Sequence, residues 1–379
     1  MKEKIVGILV CMLLIATAIP AVTSVKISAI NATVPSHPLT SGAGSTTLIA
    51  DTFNNRVIEI DTNGTILWEK DGLYYPIHAS RLMNGNTLIA EVGNNQVIEM
   101  TKSGAIIWNF SLLFGPFDAQ RLANGNTLIA NTYDGSVVEV NASGGVVWRM
   151  KNLSTPSAAE RLANGNTLIV EALGGRVIEV NSTGAIQWQY MGTGILFDGD
   201  RLANGNTLIT DWDNHRVIEV NTNGTIVWEK DEINQPMNAQ RLNNGNTLIA
   251  EGNRVIEVAS NGSIVWQKTQ LNGPADAERL QPVFDVTISK GFGITAYVKN
   301  IGNANASNVK VTITVTGGLV LFGKVKTVTV GDITIGATGT AKSLPIGIGR
   351  IAIKAEVTCD EGAQGTGDAS GFLLVFFIF

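Results

Sequence analysis

The chain has 379 residues, of which 44% are hydrophobic and 16% are charged, and its formal net charge at pH 7 is -5. A chain of this length and composition can bury a large core, and its length suggests two or three domains. Residues 27–282 carry 16 basic and 25 acidic side chains, so this part lacks the basic surface that phosphate binding requires. Nucleic acid is therefore not expected as a partner.

Residues 1–24 have the pattern of a secretory signal peptide. A short basic segment precedes an apolar run from Ile5 to about Ile19, and small residues precede Ser24. The alternative is an uncleaved membrane anchor, because the run approaches the roughly 20 residues that span a bilayer. Residues 25–40 are predicted to be a linker. The protein is expected to be extracellular or attached to the cell surface, with a membrane contact only through this N-terminal segment if it is not cleaved.

Cysteine contributes little to the expected stability of the chain. The two cysteines are Cys11, inside the apolar run, and Cys359 near the C-terminus. No disulfide is expected in the mature chain, so its stability must come from packing.

A repeat of about 40 residues dominates residues 41–282. The stretch RLANGNTLI occurs three times unchanged, and Arg-Leu pairs begin at positions 81, 121, 161, 201, 241 and 279. Tryptophan follows the same period, at positions 68, 108, 148, 188, 228 and 266. Periods of 40 to 45 residues are typical of β-propeller blades.

Each repeat contains four short apolar segments separated by turn residues. The segments are four to six residues long and rich in Val, Ile, Leu and Thr, which predicts strands. Asn-Gly pairs between them supply the positive φ angles of tight hairpins. The first repeat lacks its innermost strand, and the segment ADAERL at residues 275–280 is expected to return and complete it. The sequence thus predicts an all-β fold with a six-bladed propeller closed by a C-terminal strand.

The repeats resemble those of the NHL and quinoprotein-like (PQQ-like) propeller superfamily. The pieces DTNGTILWEK and RLANGNTLIA are especially similar to arylsulfotransferase-like repeats. The resemblance implies the fold, but the matching residues belong to the framework and do not imply an activity. A quinone cofactor is disfavoured, because the repeats are too few and no vicinal cysteines are present.

Residues 283–379 abandon the 40-residue period and contain no tryptophan. Alternating Val, Thr and Ile between turns rich in Gly and Asn predict an immunoglobulin-like β-sandwich. The segment KNIGNANASNVKVTITV resembles adhesion-type modules of prokaryotic surface proteins. The final GFLLVFFIF is too short to span a membrane and is expected to be the last core strand.

Features shared by all repeats are expected to be structural. The arginine of each Arg-Leu pair and the glutamate of each VIEV-like strand should form ion pairs, because a buried charge requires a partner. The glutamates are Glu59, Glu99, Glu139, Glu179, Glu219 and Glu257. The tryptophans are expected to bury large apolar areas.

Function should then depend on positions that differ between repeats. The position that starts the innermost strand holds His78, Asp118, Ala158, Asp198, Asn238 or Asp276. A second set follows the NTLI segment and holds Asp51, Glu91, Asn131, Glu171, Asp211 or Glu251; these residues either line the same channel mouth or stabilise local turns. Aromatic residues are expected around this mouth: Tyr74, Tyr75, Phe114, Phe117, Phe197 and Trp212.

An acidic mouth with an aromatic rim suits a glycan or a surface protein, so the main expectation is a non-enzymatic binding protein. The expected ligand-binding residues are His78, Asp118, Asp198, Asn238, Asp276, Trp212, Asp211, Asp213, Tyr75 and Phe117. Converging carboxylates could instead hold a cation, and their oxygen ligands favour calcium. The candidate calcium ligands are Asp118, Asp198 and Asp276.

Two other functions remain open. An arylsulfotransferase-like or lyase-type enzyme would use His78, His215 and Arg216, although no third histidine converges on the ring. A purely structural role in a surface layer or filament would need no small ligand.

Five glycosylation sequons fall in the turn before the outermost strand of a repeat. They begin at Asn63, Asn141, Asn181, Asn223 and Asn261. Glycans there would coat the end opposite the channel mouth. The alternative is ordinary hairpin chemistry, in which Asn and Gly form the turn.

Overall fold

The computed structural model describes residues 45–379, which belong to one compact unit. The predicted signal peptide or anchor and the linker lie outside the described residues, together with Cys11. Within the described part, no helix is long and apolar enough to cross a membrane. Cys359 is a free, half-buried thiol, and burial raises its pKa to about 11.

Six antiparallel sheets of four strands, named I to VI, make up the first part of the described chain. Sheet I contains β1 (Thr46–Asp51), β2 (Arg56–Ile60) and β3 (Ile66–Asp71). Its fourth strand is β24 (Pro274–Leu280), which comes from the end of this part of the chain. Sheet II contains β4 (Pro76–Arg81), β5 (Thr87–Glu91), β6 (Gln96–Met100) and β7 (Ile106–Phe110). Sheet III contains β8 (Pro116–Arg121), β9 (Thr127–Asn131), β10 (Ser136–Val140) and β11 (Val146–Met150).

The next three sheets repeat this order. Sheet IV contains β12 (Pro156–Arg161), β13 (Thr167–Glu171), β14 (Arg176–Val180) and β15 (Ile186–Met191). Sheet V contains β16 (Leu196–Arg201), β17 (Thr207–Asp211), β18 (Arg216–Val220) and β19 (Ile226–Lys230). Sheet VI contains β20 (Pro236–Arg241), β21 (Thr247–Glu251), β22 (Arg254–Val258) and β23 (Ile264–Lys268). Strand β24 (Pro274–Leu280) follows, and two 3-10 turns lie at Thr52–Asn54 and Thr132–Asp134.

Burial explains the sequence of each strand. The NTLI and VIEV strands are buried on both faces, which is why they are almost continuously apolar. The outermost strands alternate between exposed and half-buried residues. The hairpin that follows each innermost strand depends on a glycine such as Gly125, whose φ of 85° is in the left-handed region.

The sheets close into a ring through β24. This strand pairs with β1 in antiparallel register, from Thr46 opposite Leu280 to Ala50 opposite Asp276, which confirms the expected returning strand. The innermost strands contact one another in the cyclic order β24, β4, β8, β12, β16, β20 and back to β24. The closed order is that of a β-propeller and leaves no open edge between the first sheet and the last.

The repeated RLxNGN, VIEV and Trp motifs form a joint between neighbouring sheets. Arg121 at the end of β8 donates to Glu99 of sheet II at 2.7 Å, and its guanidinium lies 4.8 Å from the Trp108 ring centre. The same Glu99 accepts bonds from Asn84 and Asn86 of its own sheet. All six expected Arg–Glu pairs form, at 2.7 to 3.0 Å. Each of the six tryptophans that follow the repeat also donates its ring N–H to a turn carbonyl of the next sheet. The repeated nine residues are therefore architectural.

Residues 284–378 form two further sheets. The smaller contains β25 (Phe284–Gly291), β26 (Gly293–Asn300) and β30 (Thr338–Ser343). The larger has the order β29 (Val325–Ile333), β27 (Ala306–Thr316), β31 (Ile346–Thr358), β32 (Gln364–Val375) and β33 (Phe377–Ile378), and β28 (Leu319–Phe322) also pairs with β31. One core of buried side chains lies within this part.

The segment GFLLVFFIF is only half a core strand. Leu373 and Ile378 are buried, as expected, but Phe372, Leu374 and Phe377 are exposed. The segment bends at residue 375 and pairs back on itself, with Leu374 opposite Phe377. The alternation of buried and exposed residues could not be recognised in a run that is apolar throughout.

Candidate functional site

Two rings of side chains line the central channel. The upper ring is the set expected from the sequence, His78, Asp118, Ala158, Asp198, Asn238 and Asp276. The lower ring lies two residues further along each innermost strand: Ser80, Gln120, Glu160, Asp200, Gln240 and Glu278. The residues between the rings, such as Ala79 and Ala119, are buried between sheets. The period-2 alternation of a strand was the signal that could have identified the lower ring from the sequence.

Most of these side chains satisfy backbone N–H groups on the next innermost strand. Asp276 accepts from the Ala79 N–H at 2.9 Å, and Asp118 accepts from the Ala159 N–H at 2.8 Å. In the lower ring, Glu278 accepts from the Arg81 N–H at 2.8 Å. Neighbouring innermost strands do not form a ladder, so their buried N–H groups need such partners. Much of the acidity of the channel is thus structural.

His78 lies between two carboxylates at the junction of sheets I, II and III. Its Nδ1 is 3.1 Å from Asp276 Oδ2 and 3.2 Å from Asp118 Oδ1. Burial alone would lower the pKa of His78, but the charges of Asp276 and Asp118 outweigh it and raise the pKa to about 10. His78 is therefore an imidazolium at neutral pH. Among residues 45–379, its buried Nε2 has no hydrogen-bond partner.

Five channel carboxyls have a raised pKa, and in Asp118 burial raises it even though the charge of His78 acts against the shift. Burial raises the pKa of Glu160, Asp198 and Glu278 to about 7, and neighbouring carboxylates add to the effect. Burial and the charges of Asp198 and Glu160 raise the pKa of Asp200 well above its ordinary value. The channel is consequently far less negative at neutral pH than its composition suggests.

A third ring, the collar, narrows the channel just above the upper ring. Its members are Ile77, Phe117, Ser157, Phe197, Met237 and Ala275. The space lined by the collar and the upper ring has a volume of about 30 Å³. The larger cavity, about 850 Å³, extends from the upper ring through the lower ring to hairpin residues such as Met83 and Leu122. Phe117 and Phe197 of the aromatic rim therefore line the same space as the acidic upper ring, whereas Tyr74, Tyr75, Phe114 and Trp212 do not.

The second set of polar residues stabilises loops. Asp51, Glu91, Asn131, Glu171, Asp211 and Glu251 are all buried. Glu91 accepts from the Tyr74 N–H at 2.8 Å, and Asn131 accepts from the Phe114 N–H at 2.6 Å. Both carboxylate oxygens of Asp211 are engaged by its own loop, by Asn214 and by Arg216. The expectation that Asp211 contacts a ligand is corrected, because the residue fixes its loop.

The loop face is the end of the ring that carries the loops preceding each innermost strand. Its aromatic rings form pairs with centroid distances of 5.0 to 6.0 Å: Tyr74 with Tyr75, Phe53 with Tyr75, Phe114 with Tyr133, Phe117 with Tyr133, and Phe197 with Trp212. Tyr75 and Phe117 are half-buried in these pairs. Trp212 is only 7% exposed, so it supports the rim from inside the loop.

The residues expected for an enzyme do not come together. His215 is exposed, with a φ of 53° in its turn, and the neighbouring Asp213 accepts from the Ile195 N–H. Arg216 is paired with Asp211 at 2.8 Å and with Glu229 at 2.7 Å. Within residues 45–379, no hydrogen bond or ion pair joins His78 to either His215 or Arg216.

The channel does not fit the cofactors considered from the sequence. Across residues 45–379, no group of three or more His, Cys, Asp or Glu is placed to hold a metal ion. The space between Asp118 and Asp276 is taken by the His78 imidazolium, which already supplies the positive charge that calcium would bring. The quinone cofactor stays disfavoured on the sequence pattern alone.

The sequon turns have well-defined geometry. The side-chain oxygens of Asn141 and Asn181 each accept from two backbone N–H groups of their own turn. Asn261 accepts from the Ser263 N–H, and Asn63 and Asn223 are exposed. The turn role is thus visible in the structure, and glycosylation at the five sites stays a prediction.

The repeated four-stranded sheets, their ring closure and their shared Arg–Glu–Trp joints define a β-propeller repeat protein. The chain belongs to the protein family described as outer membrane protein assembly factor BamB, whose pattern matches residues 53–193 and 133–289. This confirms the quinoprotein-like (PQQ-like) part of the resemblance. A search of functionally characterised proteins finds no match.

Solved structures with the same kind of fold have low sequence identity to this chain. A Bacteroides caccae protein of unknown function is 20% identical, with a TM-score of 0.54, and the match covers 62% of this chain and 98% of that one. A streptogramin B lyase is 15% identical over 69% of this chain and 91% of its own, with a TM-score of 0.48. Virginiamycin B lyase from Staphylococcus aureus is 14% identical over 67% and 92%, with a TM-score of 0.47. At such identities the similarity concerns the fold alone.

Proposed function

We propose that this protein is a secreted or surface-attached, non-enzymatic binding protein that docks a polypeptide partner on its loop face. In this proposal the six sheets are the blades of a six-bladed propeller, and residues 283–379 are an immunoglobulin-like module of adhesion type. The ligand classes expected from the sequence were a glycan or a surface protein. We favour the protein, because the most exposed apolar side chains of the loop face lie outside the space that the channel acids line.

One observation carries the proposal, namely an exposed apolar surface on one side of the loop face. This half-rim comprises Tyr74, Leu112, Phe114 and Leu173, with 51%, 79%, 47% and 51% of their surface exposed. They lie on the loops of consecutive sheets from II to IV. The corresponding loops that precede the innermost strands of sheets VI and I, residues 231–235 and 269–273, expose polar side chains and bury Ile233 and Leu271. Clustered exposed apolar residues bordered by polar ones are typical of protein interaction sites.

The half-rim is held rigid before any partner arrives. Tyr74 and Phe114 are fixed through their backbone N–H groups by Glu91 and Asn131. Phe114 also packs edge-on against Tyr133, with 5.3 Å between ring centres. Rigid aromatic anchors lose little conformational entropy on binding, which favours affinity.

The family assignment is consistent with a protein partner. The family name describes a factor for the assembly of outer membrane proteins, an activity whose ligands are polypeptides. The same name agrees with action outside the cytoplasm, which the N-terminal sequence predicts. We therefore propose a polypeptide ligand for this chain and do not specify which polypeptide it is.

The enzyme alternative is weaker on chemical grounds. A histidine with a pKa of about 10 is protonated at neutral pH and cannot serve as a general base. Its expected partner Arg216 is committed to two carboxylates. Turnover of an aryl sulfate that is lost in His78→Ala would restore the enzyme alternative. A role as surface-layer building block would instead require self-association in a light-scattering concentration series.

The proposal is tested by photo-crosslinking in the native host. A benzophenone amino acid placed at Leu112 should yield a discrete polypeptide adduct that mass spectrometry identifies. The same probe at Ile186, an exposed apolar position on the outermost strand of sheet IV, is the control. The partner so identified should bind purified wild-type protein and bind the Leu112→Ser/Phe114→Ser variant at least about tenfold more weakly. Equal adducts at both positions, or unchanged affinity in the variant, would refute the proposal.

A further inference from the structure

We call the two sheets of residues 284–378 the sandwich. The end of the sandwich that lies away from the propeller has an unusual surface. The other end, its base, contacts the ring: Asn303 donates to the channel residue Glu278 at 2.6 Å, and Ala304 packs against the propeller core. We call the opposite end the sandwich tip. It comprises the β25–β26 turn, β28, the first residues of β31, the last residues of β32, and β33.

Apolar side chains cover the outward face of the larger sheet at the tip. Strand register aligns Leu319 with Ile348, Ile348 with Leu374, and Leu374 with Phe377, so one row of apolar residues crosses four strands. Leu321 adds to this row, and both Leu319 and Leu321 have 61% of their surface exposed.

The character of the same face changes sharply along the strands. The next outward pair is Arg350 with Phe372, and Ala352 with Ser370 and Lys354 with Asp368 follow towards the base. Thr366 and Gln364 follow opposite Glu356 and Thr358. The apolar surface is therefore confined to the tip and is not a general property of the sheet.

The turns at the tip add a cluster of phenylalanines. The ring of Phe292 lies 4.9 Å from that of Phe376 and 5.6 Å from that of Phe377. Phe292, Phe322 and Phe379 are 67%, 68% and 70% exposed. Gly293 makes the Phe292 turn feasible, since its φ is 79° and a Cβ there would lie 2.6 Å from the Ser343 carbonyl oxygen. A soluble surface rarely exposes so many large apolar side chains together.

Charged side chains are also distributed unevenly between the tip and the base. Residues 283–379 contain eight basic and six acidic side chains. Five of the basic residues lie at the tip end of their strands: Lys290, Lys324, Lys326, Lys342 and Arg350. All six acidic residues lie nearer the base or in the middle of the strands: Asp285, Asp332, Glu356, Asp360, Glu361 and Asp368. The tip is thus apolar and surrounded by positive charge.

The backbone at the tip is already hydrogen-bonded. Phe372 and Phe379 exchange N–H to carbonyl bonds at 3.2 Å, and the Gly293 N–H donates to the Phe376 carbonyl at 2.9 Å. A strand-adding protein partner would need free N–H and C=O groups at this edge. Entry into hydrocarbon instead requires that backbone groups be satisfied internally.

We propose that the sandwich tip inserts its leucine and phenylalanine side chains into the interface of a bilayer that contains anionic lipids. The apolar residues would enter the acyl boundary, and the five cations would contact the headgroups. A second copy of the chain fits less well, because a two-fold interface would bring the same cations of both copies together. Membrane insertion by the tip does not depend on the partner proposed for the loop face, since the tip belongs to the sandwich and the loop face to the propeller.

Vesicle flotation tests the proposal with the full chain. Vesicles of phosphatidylcholine with about one third phosphatidylglycerol should retain the protein better than phosphatidylcholine alone. Leu319→Ser/Leu321→Ser should weaken partitioning about tenfold or more, because two exposed apolar side chains no longer transfer from water. The matched control is Ile106→Ser/Ile107→Ser on the propeller, where each isoleucine is 56% exposed. Equal partitioning of both variants would overturn the proposal.

A local probe separates tip insertion from any membrane contact of the N-terminal segment. Leu321→Cys, in a Cys11→Ser/Cys359→Ser background, carries an environment-sensitive dye, and Ile107→Cys in the same background is the control. Anionic vesicles should shift the emission of the dye at position 321 to the blue and leave the dye at position 107 unchanged. No shift at 321, or a shift that follows protein dimerisation without vesicles, would overturn the proposal.

Discussion

Arg279 Nη2 lies 3.0 Å from Glu257 Oε2, and both side chains are only 4% exposed. This pair joins the closing strand β24 to sheet VI, so it lies at the junction where the chain completes its ring. It is the most buried of the six Arg–Glu pairs. The guanidinium also lies 5.1 Å from the Trp266 ring centre.

Glu257→Ala should therefore destabilise the protein strongly. The variant leaves the Arg279 cation buried without a partner, which costs about 3–5 kcal/mol of unfolding free energy. Glu139→Ala is the matched comparison, because its partner Arg161 is 23% exposed and can be hydrated. Urea unfolding should show a clearly smaller loss for Glu139→Ala. Equal losses would mean that burial of the pair does not determine its contribution.

His78 should remain protonated well above neutral pH. Its pKa is raised to about 10 by Asp276 and Asp118, against an ordinary value of 6.5. The imidazole signals in a nitrogen-15 NMR titration should show the cation at pH 8. Asp276→Asn should lower that pKa markedly, while a neutral ring at pH 8 in the wild type would contradict the geometry.

The channel groups should make the protein less stable as pH rises. Glu160, Asp198 and Glu278 have folded pKa values of about 7, above their ordinary values near 4, so the folded state retains protons that the unfolded state has lost. Stability from these groups is complete below about pH 4 and declines as pH rises to about 7. His78 adds stability below about pH 6.5 that is lost as pH rises to about 10.

Melting temperature across pH measures this effect. Asp198→Asn should flatten the decline between about pH 4 and 7, and His78→Gln should flatten the decline above pH 6.5. A wild-type melting temperature that rises steadily from pH 5 to pH 8 would show that other groups control stability.

Calcium should not stabilise the protein. The upper ring already contains an internal cation in His78, and its aspartates are bonded to backbone N–H groups. Thermal unfolding with excess calcium and with a chelator should give coincident curves. A bound ion present at 100 times its dissociation constant would add about 2.7 kcal/mol, so a separation of that size would restore the calcium site.

The 40-residue repeat was sufficient to predict the strands, the returning strand and the Arg–Glu pairs. Such features depend on local pattern and on charges that must be neutralised, and both are visible in one sequence. The upper ring was also predictable, because residues such as Asp118 and Asp276 occupy equivalent positions in their repeats.

Other features depend on three-dimensional distances, which the spacing of residues in the sequence does not reveal. Phe197 and its equivalents form a collar next to the upper ring. Asp211 looked available for a ligand, but its own loop folds back to engage both oxygens. The exposure of Phe372 and Leu374 is determined by which face of a wholly apolar segment meets the core.

Hydrogen–deuterium exchange on the complex with the crosslinked partner tests whether the loop face is the binding surface. Binding should protect loop residues 72–75, 111–115 and 172–175 and leave exchange in the strands that line the channel unchanged. Protection confined to channel strands, for example residues 78–80 and 118–120, would contradict the claim that the loop face is the working surface.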